Sequence, residues 1–329
     1  MRLPLVNTIK TLCLHHSIAK FLANLLQNYK TLSISIKMKK RLFLSVIALA
    51  SITATYSQNN TIQLLDANLT NFNTYIGVPH STVVGLPEDT YQSDNVRKGT
   101  PLGLNNDPKN IFTTTNVNGE TILNISGEVY GSITTKENYG NYHFSTLFRW
   151  GHKKWEPRLD RRKDSGILYH SYGDFGRFWD TWKTCLEFQV QETDLGDFIS
   201  LNGNTATPKI SGPKVEIRGD VAADPKKYNP NLDTYFEGTG YIHAALEPQN
   251  PHGSWNLLEL YVIGNDAVHV VNGKIVMVVE NAMNPETNTP LTEGQIQIQS
   301  EAAECYYKNM TLTPIAEFPE FIMKQVSFK

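Results

Sequence analysis

Cys185-Leu-Glu-Phe-Gln-Val-Gln-Glu-Thr-Asp-Leu-Gly-Asp197 is the stretch on which the fold turns. Leu186, Phe188 and Val190 alternate with Glu187, Gln189 and Gln191, the period of a strand with one face in a core and a polar face outside. Comparable runs lie on both sides. Before it come Thr121 to Ser126, Gly131 to Thr135, Tyr142 to Trp150 and Gly166 to His170; the central strand itself reads as Thr184 to Glu192. After it come Tyr241 to Ala245, Trp255 to Ile263, Ala267 to Val271, Lys274 to Glu280, Gly294 to Gln299 and Ala303 to Pro314. Gly, Asn, Asp and Pro separate the runs, and Val271-Asn272-Gly273-Lys274 is a hairpin turn of the Asn-Gly type. No long amphipathic helix follows residue 57, so the expectation is a single all-β sandwich. Asp66 to Phe72 reads as an edge segment. Two stretches rich in Pro, Gly, Asn and Asp, 77–110 and 201–235, read as long loops, the first covering or flanking a cleft.

The first 57 residues stand apart from that pattern. Met38-Lys39-Lys40-Arg41, the apolar run Leu42 to Ile52 and the small residues before Gln58 have the layout of a secretory signal peptide cleaved after Ser57. Residues 1–37 then read as an upstream extension, 38–57 as the leader and 58–329 as the mature domain. The apolar run is too short to span a bilayer. Export to the periplasm or the outside is expected, without membrane insertion of the mature form. Eight basic residues and no acidic ones precede Gln58, which leaves 22 basic against 32 acidic residues in the remaining 272. Such a balance argues against nucleic acid as a partner and favours a neutral ligand such as a sugar. Cys185 and Cys305 fall in the mature part; a bridge and two free thiols are equally compatible with their spacing. The oligomeric state is not legible.

Several polar rows could carry chemistry. His143, Ser145 and Arg149 share a face of an ideal strand, and Arg149 offers a fork of donors. Tyr169 and His170 point opposite ways, so one of them can reach a shared surface; His170 is a base near neutral pH or a structural imidazole. Glu187 can act as acid, base or metal ligand, and Gln189 can both donate to and accept from sugar hydroxyls. Gln295, Gln297 and Gln299 form another row with Glu301 beyond it. His269 sits on a hairpin arm, and Trp155, Trp179 or Trp182 could supply a stacking platform. Glu187-x-Gln189-x-x-Glu192 approaches the Glu-x-Asp-x-x-Glu signature of laminarinase-like endo-β-glucanases, in which a bulge brings both glutamates to one face; Gln189 replaces the tuning acid.

Taken in order, several motifs resemble the 3-keto-disaccharide hydrolase domain family over about Asp66 to Pro314. They are Leu102-Gly-Leu-Asn-Asn-Asp-Pro108, Gly127-Glu-Val-Tyr-Gly131, Asn141-Tyr-His-Phe144, Arg149-Trp-Gly151 and Arg162-Lys-Asp-Ser-Gly-Ile-Leu-Tyr-His170. Further on are Leu186-Glu-Phe-Gln-Val-Gln-Glu192, Gly253-Ser-Trp-Asn256, His269-Val-Val-Asn-Gly273, Gly294-Gln-Ile-Gln-Ile-Gln-Ser-Glu301 and Tyr307-Lys-Asn309. The opening segment and the Ala302-Ala303 pair depart from the family pattern.

The resemblance implies a concanavalin/laminarinase-like jelly roll and cleavage of glycosides already oxidised to a ketone at carbon 3. The ketone acidifies the hydrogen on carbon 2; a base removes it and the enolate expels the group on carbon 1. Glu187 or His170 is the expected base, with Arg149 and Gln189 orienting or stabilising charge. Tyr169, His269, Gln299, Glu301 and Trp179 are the expected substrate contacts, Glu301 and His269 doubling as acid or metal ligand. A divalent metal ion would suit the carbonyl, but no ligand spacing announces one. A non-catalytic carbohydrate-binding module and an endo-β-glucanase acting through Glu187 and Glu192 are the rival readings.

Overall fold

Wherever apolar residues recur at every second position the chain forms a strand, and the computed structural model, which describes residues 61–203 and 211–329, arranges those strands in two sheets. The first strands are β1 (Ile62–Gln63), β2 (Phe72–Ile76), β3 (Gly103–Leu104), β4 (Phe112–Val117), β5 (Glu120–Ile125), β6 (Gly131–Thr135) and β7 (Tyr142–Lys154). The middle of the chain gives β8 (Asp164–Tyr172), β9 (Thr184–Gln191), β10 (Asp194–Leu201), β11 (Lys214–Arg218), β12 (Tyr235–Gly238) and β13 (Tyr241–Ile242). The last are β14 (Asn256–Ile263), β15 (Asp266–Val271), β16 (Lys274–Asn284), β17 (Thr289–Pro290), β18 (Gln295–Ser300) and β19 (Ala303–Pro314).

One sheet runs β12-β11-β16-β15-β14-β7-β19-β5-β4, with β1 and β17 attached to β19 and β16. The other runs β13-β10-β9-β8-β18-β6-β2-β3. Neighbours pair antiparallel throughout. This is an all-β sandwich of two antiparallel sheets. Thr61–Lys329 form one compact unit, while the leader and extension readings fall on residues outside the described ones.

The inner face of β9 buries Leu186, Phe188 and Val190 completely, in one core with Leu258 and Leu260 of β14 and Phe144 and Phe148 of β7. The outer face of the eight-stranded sheet is also partly covered. Tyr130, Leu168, Trp182, Cys185 and Leu201 form a second apolar group there, flanked by Trp155, Phe178, Trp179 and Ile199. Cys185 belongs to this outer group and Cys305 to the inner core, so the two thiols are free and lie on opposite sides of a sheet.

Two expectations need correction, and one strand went unread. Within the expected edge segment Asp66 to Phe72, Asp66 to Asn71 form a turn, in which the Asp66 carboxylate accepts from the backbone N–H of Asn68 (2.8 Å) and Thr70 (3.1 Å); the strand starts at Phe72 and is flanked by β6 and β3, so it is not at the edge. Part of the 201–235 stretch is not loop: β11 and β12 extend the larger sheet from β16. The run Asp194 to Leu201 is a full strand, hidden by a bulge between Leu195 and Phe198 that breaks its alternation. The 77–110 stretch is irregular apart from β3 and packs beside the outer aromatic group, with Val96 buried in it.

Phe188 is fully enclosed at the centre of the inner core. Phe188→Ala is expected to lower the free energy of unfolding by about 3–5 kcal/mol, read as a reduced urea midpoint with an unchanged denaturant slope.

Candidate active site

The register of β18, β8 and β9 places three polar rows side by side on the outer face. Gln299, Gly166 and Gln189 are opposite one another, as are Gln297, Leu168 and Glu187; an isolated bridge sets Glu301 opposite Asp164, which pairs with Gln191. Neighbouring strands lie about 4.8 Å apart, so these side chains form a continuous patch. Gly166 is its centre. A Cβ there would overlap both Glu187 Oε1 and Gln299 Oε1, so the absence of a side chain lets those two oxygens converge over bare backbone.

Above this floor is a cleft of about 230 Å³ whose walls include Arg158, Asp164, Trp179, Trp182, Tyr241 and Glu301. Arg158 binds Asp164 through Nη2 and Glu301 through Nη1, the latter at 2.8 Å. Gln191 Nε2 also donates to Asp164 Oδ2 at 2.8 Å. Asp164, Glu187 and Glu301 are 3%, 3% and 5% exposed, and the Arg158 guanidinium contacts two of these three buried carboxyls. Glu187 is the one without a cationic partner. Burial, reinforced by the charges of Asp164 and Glu301 and opposed by Arg158, holds its pKa well above the ordinary range.

The aromatic wall comes from the turn between β8 and β9. Phe178 N–H donates to Trp182 C=O at 2.8 Å, closing a tight loop in which Trp179 and Asp180 take left-handed φ values of 53° and 50°. Bulky residues avoid that region, and the loop is held from outside. The Arg97 guanidinium stacks 3.8 Å from the Trp179 ring centre, and Gly99 N–H donates to Asp180 Oδ2 at 2.9 Å. The 77–110 loop thus braces the wall.

Of the expected site residues, the cleft gathers Glu187, Gln189, Gln299, Glu301 and Trp179. It does not gather the other four. Tyr169 points into the core, where its hydroxyl donates to His269 Nε2 at 3.1 Å; His269 Nδ1 donates to Gly196 C=O at 2.9 Å and its ring stacks on Phe188. Burial lowers the His269 pKa to about 4. His170 is fully enclosed, both ring nitrogens lack a partner, and burial lowers its pKa to about 4. A bulge between Tyr169 and Tyr172 takes it out of the row of Asp164 and Gly166. Arg149 lies on β7 in the other sheet, its guanidinium over the Trp255 and Tyr306 rings at 4.8 and 4.9 Å. Nor does Glu192 join Glu187. β9 stays in unbroken register with β8 from Leu186 to Gln191, so no bulge turns Glu192 inward, and it borders a separate pocket with His252.

Arg158, Asp164, Gly166 and Tyr241 escaped the sequence reading. Asp164 continues the period-two row of Gly166 and Leu168, a signal lost by starting that strand at Gly166. Beside the cleft, Asp194, Asp197 and His243 bring one potential ligand atom each within 4.8 Å of one another and could hold a metal ion. Asp197 Oδ2 is 3.0 Å from His243 Nδ1, its Oδ1 accepts from Ala244 N–H, and Tyr241, a cleft residue, donates to Asp194 Oδ2 at 3.1 Å. Glu247 feels this charge as well: burial and the two aspartates push its pKa up to about 8.

Residues 90–313, more than half of the chain, match the model of the 3-keto-alpha-glucoside-1,2-lyase-like domain. The chain belongs to this family. No curated protein matches it significantly. Among solved structures, a Parabacteroides distasonis protein provisionally named a glycosyl hydrolase is similar at 14% identity and a TM-score of 0.41, over 78% of this chain and 100% of that one. LamAcat of Zobellia galactanivorans has 11% identity and a TM-score of 0.39, over 77% and 95% of the two chains. A carbohydrate-binding module from Bacillus subtilis has 10% identity and a TM-score of 0.34, over 61% and 91%. Membership of the 3-keto-alpha-glucoside-1,2-lyase-like family makes the protein a carbohydrate-active domain. No helix among the described residues is long and apolar enough to cross a membrane.

The Glu187 environment fixes a pH signature. Below 4.5, its ordinary value, the carboxyl is protonated in folded and unfolded chains alike and its burial costs nothing extra. As pH rises from there towards the raised folded value, the unfolded chain releases the proton and the folded chain retains it, so stability falls. Glu187→Gln removes this loss. In thermal denaturation its advantage over the parent is expected to grow between pH 4.5 and pH 8; parallel profiles would show that Glu187 is not held protonated.

Proposed function

We propose that this protein cleaves 3-keto-glycosides by β-elimination across carbons 1 and 2, giving net hydrolysis once the unsaturated product is hydrated. The observation that carries this reading is the cleft carboxyl without a cationic partner, Glu187, set over a glycine floor beside an Arg158-bound pair of carboxylates. Elimination next to a ketone needs a base whose pKa lies near working pH and a positive or donor environment for the enolate oxygen. Glu187 supplies the first. A carboxyl held above its ordinary range is, once ionised, a stronger base than a surface glutamate.

In this reading Glu187 takes the hydrogen from carbon 2 and the electron pair becomes the enolate. The C1–O bond then breaks, and the departing oxygen takes up a proton from the Glu187 carboxyl or from solvent. Arg158 offsets part of the negative potential that Asp164 and Glu301 set at the cleft. Gln189 has its Oε1 engaged by Val190 N–H at 2.9 Å, which leaves its Nε2 as a neutral donor for the enolate oxygen. The Trp179 ring offers an apolar face to the sugar, whose C–H surface suits an aromatic platform. Any divalent ion that assists belongs at Asp194, Asp197 and His243, at the Tyr241 side of the cleft. The leader reading of 38–57 puts the reaction in the periplasm or outside the cell.

The experiment is incubation of the purified protein with matched glucosides, with and without a carbon-3 ketone. Release from the ketone form alone is expected, with deuterium at carbon 2 slowing it. Glu187→Gln should reduce kcat by 10²-fold or more, in line with loss of a general base, while His170→Gln, outside the cleft lining, should act on stability first. Release from unoxidised β-glucan, or full turnover in Glu187→Gln, would overturn the reading. Chelation before assay should lower activity only if the Asp194–Asp197–His243 group carries an ion, and Asp197→Asn should then abolish that sensitivity.

A further inference from the structure

A second cavity, of about 370 Å³, lies outside the cleft and is the larger of the two. The turn between β9 and β10 separates them. Gln191 lines the cleft, whereas Glu192 and Thr193, next in the chain, line the second cavity, as alternation at a strand end directs. Its apolar part comes from Trp150 and Leu195, its polar part from Glu192, Gln249, His252 and Ser254. Four of the sequence motifs meet here through residues that the cleft does not use. Arg149-Trp-Gly151 brings Trp150, the Arg162 to His170 run Lys163, the Leu186 to Glu192 run its last residue, and Gly253 to Asn256 its Ser254 and Asn256.

The loop that closes this cavity, 248–256, is stapled from beneath. Asn256, 4% exposed, accepts from Asn250 N–H at 2.7 Å and from Asn272 Nδ2 at 2.9 Å, and Asn272 Nδ2 also donates to Pro248 C=O at 2.9 Å. Lys163, 7% exposed, sets its Nζ 2.6 Å from both Gly151 C=O and His252 Nε2. These contacts leave a mixed set of polar atoms unspent. Glu192 uses only Oε2, which accepts from Lys163 N–H at 3.4 Å; Gln249 uses only Oε1, which accepts from Thr193 N–H at 3.3 Å; His252 uses only Nε2. Glu192 Oε1, Gln249 Nε2, His252 Nδ1 and the Ser254 hydroxyl are without a partner among the described residues. They are within a ligand's reach, since Glu192 and Gln249 are half-buried and His252 and Ser254 exposed.

We infer that this cavity is a second carbohydrate site, which seats one neutral, unoxidised pyranose unit beyond the β9–β10 turn. Sugar hydroxyls both donate and accept, and the rim meets them with an acceptor carboxylate, a donor amide and a hydroxyl that does both. Trp150 and Leu195 give the C–H face of the ring an apolar floor. Glu192, the one carboxylate on the rim, disfavours an acidic sugar, because the nearby Lys163 ammonium is turned to Gly151 and His252. A loop already fixed by Asn256 and Asn272 has little ordering left to lose on binding. The site needs no ketone in its ligand and is independent of the elimination reading.

The test is saturation-transfer NMR on the full-length protein with laminaribiose, cellobiose, maltose and glucuronate as probes, followed by calorimetric titration of those that bind. At least one neutral disaccharide is expected to bind, and glucuronate is not. Glu192→Ala should weaken that binding by about 10-fold or more, through loss of a charged acceptor, and Gln249→Ala by about 3-fold or more. Thermal denaturation confirms that both variants are folded. Glu187→Gln, in the cleft, should leave the binding unchanged, and the two rim variants should leave turnover of a 3-keto-glucoside unchanged. Binding of none of the neutral disaccharides, equal binding by the parent and both rim variants, or binding lost with Glu187→Gln would overturn the inference.

Discussion

The register of β18 against β8 and of β8 against β9 is the constraint from which the site follows. It sets Gly166 between Gln299 and Gln189 and lets Glu187 lean over it; a slip of one residue would turn all three strands' polar rows into the core. That slip is forbidden by the other face. Leu186, Phe188, Val190, Ile167 and Ile298 are fully buried on the inner side, and exchanging them with carboxyls and amides would leave charge unpaired in an apolar layer. The core therefore fixes the site without touching a ligand.

Electrostatics divides the work among the three cleft carboxyls. Arg158 can neutralise only part of the charge of Asp164, Glu187 and Glu301, and its two contacts go to Asp164 and Glu301. Breaking such a buried pair by removing one partner is costly, so Asp164 and Glu301 are tied to structure as well as to the cleft. Glu187 is thus the cleft carboxyl that no guanidinium contacts among the described residues. The braced Trp loop serves the same end from above. Two left-handed residues, Trp179 and Asp180, are stable there because Gly99 N–H and the Arg97 guanidinium meet them from the 77–110 loop.

Much of the fold was legible because its signal is local. The alternation of Leu186, Phe188 and Val190 with Glu187, Gln189 and Gln191 needs no knowledge of partners, and the row of Gln299 and Glu301 reads the same way. What could not be read was which rows face each other. Arg149 and His269 belong to the opposite sheet, and Arg149 and Glu187 are equally good strand-borne polar residues until topology assigns them. Arg158 carries no periodic signal, because it lies in the loop between β7 and β8; only the folded chain brings it to Asp164 and Glu301.

Two bulges account for the remaining errors, and they act in opposite senses. In β8 the shift after Tyr169 removes His170 from the outer row and gives its place beside Gln295 to Ser171, so an imidazole that counting by twos assigns to the surface becomes a buried, neutral one. In β10 the shift after Leu195 lets Leu195 and Phe198, three residues apart, both enter the core. Asp194 and Asp197 are then left on the same side, and Gly196, at φ 90°, permits the turn that a Cβ would hinder by overlapping Val276. One extra residue per strand thus withdraws a base from the cleft and brings a carboxylate pair to its edge. Register shifts occur in the larger sheet as well, and these two matter to the cleft through the side chains they re-aim.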